Sequence, residues 1–166
     1  GEKAGAIGMS SAWLNGSLIA EETASVSIRD TGLLHAAGVF TTMRARHGVV
    51  FRLTAHLNRL RNSCQALFVP LQYTDEQLAD AVNELLEANA LTDARLRLTV
   101  TRGQARKDPV HGLVLSPTCF LTAAPLEEYS HELYQKGMTI VVQDEQKLNP
   151  YDVHAGNKTL NYLSRL

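Results

Sequence analysis

The chain holds five lysines among its 166 residues, and one of them differs from the rest in its surroundings. Lys3, Lys107, Lys136 and Lys147 lie in polar or turn-rich stretches and read as solvated charge. Lys158 sits in His154-Ala155-Gly156-Asn157-Lys158-Thr159-Leu160-Asn161-Tyr162-Leu163, with small residues before it and apolar ones after it. A lysine amine drawn out of water has a lowered pKa and can condense with an aldehyde or ketone. His56 and Arg59 lie three apart, on one face of a helix. Arg59 and Arg61 fall near that helix's middle, where they cannot serve as N-terminal dipole partners, so a phosphate or carboxylate ligand is conceivable. Arg97 and Arg102 are five apart and face opposite sides of a regular strand. An arginine at the mouth of a site is a natural clamp for a carboxylate. Taken singly, each of these residues also reads as ordinary surface charge. The six histidines show no i, i+4 pairing, and no metal site is expected.

The elements that must position these groups can be read from apolar periodicity and turn residues. Ala12 to Ile19 carries Asn15-Gly16 between apolar residues, a strong hairpin signal. Val26-Ser27-Ile28 alternates as a short strand would. Val39 to Arg46 and Val49 to Leu53 flank His47-Gly48, a second hairpin. Thr54 is expected to cap a helix with Leu57, Leu60, Cys64, Leu67 and Phe68 at helical spacing, and Pro70 ends that region. Thr74-Asp75-Glu76-Gln77 is a capping-box pattern, and Leu78, Val82, Leu85 and Leu86 form the stripe of a second helix. The helices are expected at about 54–68 and 75–90. Leu96 to Thr101 alternates as a half-buried strand. Gly103 to Pro117, with its glycine and proline breakers, reads as a functional loop. Strands at Thr118–Ala123 and Met138–Val142 follow, then a turn-rich stretch from Asp144 to Gly156, then Lys158 and a helical pattern. Strands joined by hairpins and interleaved with helices predict an α+β domain, its sheet mostly antiparallel with two helices on one side.

Composition excludes several alternatives. Sixteen Lys plus Arg against seventeen Asp plus Glu give a formal charge of -1, so no basic excess argues for nucleic acid. No apolar run approaches bilayer-spanning length, and Gly1 to Gly8 lacks the apolar core of a signal peptide. Cys64 and Cys119 lie in apolar stretches without metal or redox spacing, which predicts two buried free thiols and a cytoplasmic setting. Met9 is a candidate native start.

In order and spacing, these segments resemble the class IV (fold type IV) aminotransferase and aminodeoxychorismate lyase family. Trp13-Leu14-Asn15-Gly16 looks like the family's opening strand, and Ser27 to Phe40 is similar to its Asp-Arg-Gly…Gly-Asp-Gly-Val-Phe segment. Val50-Phe51-Arg52-Leu53-Thr54-Ala55-His56-Leu57-Asn58-Arg59-Leu60 resembles its most specific N-terminal motif. Val100-Thr101-Arg102-Gly103 and Lys158-Thr159-Leu160-Asn161 match motifs of its D-amino-acid transaminases and lyases. There are departures: Ala36-Ala37 stands for Gly-Asp, and Thr31 for the arginine of Asp-Arg-Gly.

The resemblance implies pyridoxal 5'-phosphate as cofactor, carried by Lys158 as a Schiff base, with Arg59 on its phosphate and Tyr162 beside it. It implies a substrate carboxylate held by Arg97 or Arg102, with His35 near the substrate, and Thr42 as a further catalytic candidate. Amino-group transfer between an amino acid and a 2-oxo acid is the leading expectation, because Arg97 matches the transaminase choice. Phe40-Thr41-Thr42 resembles the lyases that release pyruvate from aminodeoxychorismate, and a non-catalytic interaction fragment is the alternative of another class. The family also implies a homodimer. The domain expectation is a leader over 1–11, an α+β domain over 12–143, and a linker with the start of a cofactor domain over 144–166, the remainder of that domain lying beyond Leu166.

Overall fold

The computed structural model describes residues 10–141, 152 and 155–162. The expected leader up to residue 9, most of the linker from Asp144, and any helix over 163–166 lie outside the described residues. The chain begins with β1 (Ser11–Leu14) and β2 (Ser17–Ala20), joined through Asn15 and Gly16 at φ 49° and 100°. Two successive positive φ values are the hairpin-turn geometry that Asn-Gly favours. A short 3-10 turn follows at Glu21–Thr23, then α1 (Thr31–His35) and β3 (Gly38–Arg46), which turns through His47-Gly48 into β4 (Val49–Val50). Next come α2 (Leu53–Ala66), α3 (Asp75–Ala88), β5 (Ala94–Asp108), β6 (Gly112–Pro125) and α4 (His131–Lys136).

All pairings among the strands are antiparallel, in the order β2-β1-β6-β5-β3-β4. The period-2 alternation sends Val39, Met43 and Ala45 of β3, and Leu96, Leu98 and Val100 of β5, to one face, where all are at most 2% exposed. There they pack with Leu57, Leu60 and Cys64 of α2 and Leu78, Val82, Leu85 and Leu86 of α3 in a single core. Two helices on one side of an antiparallel sheet is the expected arrangement. The Thr74–Gln77 capping box forms with both of its hydrogen bonds.

Five local expectations are corrected. Val26–Ile28 is not a strand: the Asp30 N–H donates to the Ser27 carbonyl and the Arg29 N–H to Ser27 Oγ, which closes a turn and leaves Ile28 81% exposed. Helix α2 is preceded not by a Thr54 cap but by Arg52 in the left-handed region, with no side-chain cap. Phe68 follows the helix end at φ 53° and points to solvent instead of joining the stripe. The Gly103–Pro117 loop is instead the continuation of β5 and β6 into a long hairpin arm. Gly103, at φ 69°, absorbs a register shift there, and a Cβ on it would meet the Ser116 carbonyl at 1.6 Å. Asp108 closes the arm's tip by accepting from the Val110 and His111 N–H groups. Finally, residues 138–141 pair with no strand among the described residues and stay exposed after α4 ends at Lys136 with Gly137 as its cap; Val142 lies outside.

A buried polar knot ties the second face of the sheet to the 24–37 segment. Asp30, wholly buried, caps α1 by accepting from the Gly32 N–H, and its other oxygen accepts from Thr101 and Thr118 at 2.8 and 2.6 Å. Thr31, which stands where the resembled family has arginine, donates to the Gly103 carbonyl at 2.9 Å.

Candidate active site

Strand β3 organises the site. At its Gly38 end one edge is free of β4, and residues 158–160 pair with that edge. The Phe40 N–H donates to the Lys158 carbonyl at 2.9 Å, the Leu160 N–H donates to the Gly38 carbonyl at 3.1 Å, and Val39 and Thr159 face each other in an antiparallel bridge. Lys158 is therefore held in extended backbone and does not open a helix within 155–162, contrary to the helical expectation. Gly38 permits the approach, since a Cβ there would fall 2.7 Å from Leu160.

Side chains converge on Phe40, which is 3% exposed. The Arg97 guanidinium lies 3.7 Å from the Phe40 ring centroid and Lys158 Nζ lies 5.0 Å from it. Tyr162 meets the same ring edge-on at 5.3 Å. Arg97 Nε donates to Thr99 Oγ1 at 3.3 Å. Burial pulls the Arg97 pKa below its usual value; Tyr162 opposes that shift and Arg95 adds to it. Thr42 lies directly across from Arg97 in the β3–β5 register, and the two line a recess of about 190 Å³ with Arg95, Thr122 and Glu21. A larger recess of about 540 Å³, between Arg44, Arg95, Tyr129 and Tyr134, contains none of the expected site residues.

Thr41 turns to the opposite side of β3 and is wholly buried beneath α2. Arg59 Nη2 donates to Thr41 Oγ1 at 2.8 Å, and His56 Nδ1 lies 3.0 Å from the same oxygen. Burial lowers the His56 pKa, and the positive charges of Arg59, Lys158 and Arg52 lower it further. One imidazole thus lies near three cations, Arg59 of α2, Arg52 just before that helix and Lys158 of the segment on the β3 edge. Such a concentration of positive charge is suited to a phosphate. Arg61, by contrast, is engaged by Asp75 at 2.5 and 3.1 Å and by the Tyr73 carbonyl.

The structure therefore brings together Lys158, Tyr162 and Arg97 around Phe40, sets Thr42 next to Arg97, and ties Arg59 of α2 to Thr41 on the opposite side of β3. It does not bring in His35, which is exposed on the last turn of α1 and makes no hydrogen bond or ion pair with the others. Arg102 sits at the β5 irregularity with its Nε buried and without a hydrogen-bond partner among the described residues. Sequence reasoning missed Phe40 and Thr41 as organisers. Their only signal was adjacency on a strand whose two faces serve different purposes.

The chain matches the family Amino-transferase class IV over residues 38–166. It belongs to that family. It is 38% identical, over 92% of its length, to a Methanocaldococcus jannaschii protein that carries a provisional branched-chain-amino-acid aminotransferase name, and it covers 52% of that protein. The Escherichia coli branched-chain amino acid aminotransferase superposes with a TM-score of 0.82 at 25% identity, over 94% of this chain and 53% of that one. The 4-amino-4-deoxychorismate lyase of Pseudomonas aeruginosa gives 0.68 at 30% identity, over 93% and 54%. This class IV chain thus spans about half the length of the relatives it matches. Members of the family use pyridoxal phosphate, and the donor set here fits that group. It offers a primary amine on a strand edge, an arginine with no carboxylate partner among the described residues, and an aromatic ring between amine and guanidinium. No helix among the described residues is long and apolar enough to cross a membrane.

Proposed function

We propose that the protein to which this chain belongs is a pyridoxal-phosphate-dependent aminotransferase, moving an amino group between an amino acid or amine and a 2-oxo acid. The observation that carries the reading is the seating of Lys158 on the β3 edge, beside Phe40 and Arg97 and within electrostatic reach of the Arg59 group. Lys158 Nζ would hold the cofactor and would take the proton from the substrate's α-carbon. The bound cofactor supplies the electron sink for that step. Arg59 holds the phosphate through charge-assisted hydrogen bonds, and Tyr162 packs beside Lys158 against Phe40. Arg97 takes the substrate carboxylate, with Arg102 and His35 as further substrate contacts. Residues 12–143 form the N-terminal α+β domain, and 144–166 are the linker and the start of the C-terminal cofactor domain. A cytoplasmic homodimer completes the reading.

The lyase reading draws on one observation, that Thr42 shares a recess with Arg97. In that reading its hydroxyl relays a proton to the departing enol of aminodeoxychorismate. The test compares Arg97→Met and Thr42→Val in full-length protein, with an amino donor plus 2-oxoglutarate or pyruvate and separately with aminodeoxychorismate. The aminotransferase loses donor binding with Arg97→Met and tolerates Thr42→Val. Pyruvate release that collapses with Thr42→Val, without amino transfer to any keto acid, would hand the site to the lyase.

A further inference from the structure

Thr41 is the one wholly buried polar side chain that β3 sends to its apolar, helix-covered face. A hydroxyl offers one proton and two lone pairs. Arg59 Nη2 occupies one lone pair at 2.8 Å. His56 Nδ1 lies 3.0 Å from the same oxygen, and a neutral imidazole with its proton on Nε2 lets Nδ1 accept the hydroxyl proton while facing the donor-only guanidinium. Arg59 Nη2 also approaches that Nδ1 at 3.4 Å. Arg59 is thus held by two uncharged acceptors, whereas Arg61, two residues on, is neutralised by Asp75.

The difference matters for anion binding. A guanidinium anchored by a carboxylate has part of its charge already compensated. One anchored by a hydroxyl and a neutral imidazole keeps its whole charge for a ligand, and its rotamer is chosen before the ligand arrives. Burial of Thr41 fixes the anchor, because its backbone is locked in the β3–β5 ladder opposite Leu98.

We infer that Thr41 is a positioning residue that, with His56 as its uncharged partner, orients Arg59 toward the phosphate monoester of the cofactor. This rests on the reading of Arg59 as the phosphate residue. The experiment measures equilibrium binding of pyridoxal 5'-phosphate to full-length apoprotein by absorbance, with phosphate-free pyridoxal as control, for Thr41→Val, Thr41→Ser and Arg59→Ala. Losing a hydrogen bond to a charged group predicts about tenfold weaker pyridoxal phosphate binding for Thr41→Val. Thr41→Ser should restore it, pyridoxal affinity should not change, and Thr41→Val should add nothing to Arg59→Ala. If Thr41→Val does not fold, His56→Leu, at a half-buried helix position, carries the same expectation. Weakening by Arg59→Ala but not by Thr41→Val or His56→Leu would overturn the positioning role and leave the phosphate reading standing. Equal weakening by Thr41→Val and Thr41→Ser would reduce Thr41 to packing. Indifference to Arg59→Ala would end both.

Discussion

The two faces of the sheet are built from the same strands and obey different rules. Under α2 and α3, β3, β5 and β6 present Val39, Met43, Ala45, Leu96, Leu98, Val100, Cys119 and Leu121, none more than 3% exposed. On the other face the intervening residues include Phe40, Thr42, Arg44, Arg95, Arg97 and Thr122. The first set is explained by burial alone. The second places arginines directly opposite each other at Arg44–Arg95, a cross-strand arrangement that costs stability. Residues that packing does not call for, on a face that packing does not fill, point to chemistry. Thr41 is the exception on the apolar face, and it lies where α2 brings Arg59 down to the strand.

The sharpest way to break this comparison is to cut into both faces and compare stability by denaturant unfolding. Leu96→Ala, on the apolar face, should lose about 2–5 kcal/mol, the cost of a cavity in a closed core. Asp30→Ala would strip partners from the Gly32 N–H and from the Thr101 and Thr118 hydroxyls, and a loss of about 3 kcal/mol is expected. Arg95→Ala, on the open face, should stay within about 0.5 kcal/mol of wild type or gain stability. A loss for Arg95→Ala as large as that for Leu96→Ala would mean that the open face is structural after all.

Two smaller effects sharpen the same contrast. The folded pKa of His56 lies below its ordinary value through burial and the nearby Arg59, Lys158 and Arg52 charges. Its contribution to stability is therefore complete above the ordinary imidazole value near 6.5 and is lost as pH falls through the lower folded value. Replacing His56 with Leu should flatten that part of the stability–pH curve. The core thiols should be silent: burial pushes Cys119 up to about 12 and Cys64 up to about 11. Neither should react with iodoacetamide at pH 8 until the protein is unfolded, which mass spectrometry would report. Rapid labelling of the native protein would show the core to be open.

Much of this was legible in the sequence because periodicity reports packing. The stripe of Leu78, Val82, Leu85 and Leu86 and the Thr74–Gln77 box gave α3, and Asn15-Gly16 gave the first hairpin. The 103–117 arm was not legible, because its glycines and prolines resemble loop punctuation. In the structure Gly103 serves a register shift and Pro109 sits in a tip closed by Asp108. Lys158 was found through its motif, but its extended backbone was not, since the apolar residues after it fit a helix as well as a strand edge. Thr41 was visible only as a neighbour within Phe40-Thr41-Thr42: its positioning role exists only where α2 and β3 meet.

The central claim is that Lys158 is the residue that carries the cofactor, and covalent capture tests it most directly. Full-length protein loaded with pyridoxal 5'-phosphate is reduced with borohydride, digested, and its peptides are weighed, for wild type and for Lys158→Ala. The account predicts one phosphopyridoxyl adduct on Lys158 in wild type, and in the variant no adduct and no long-wavelength cofactor absorbance. A reducible adduct retained by Lys158→Ala, or a wild-type adduct on any other lysine, would contradict it.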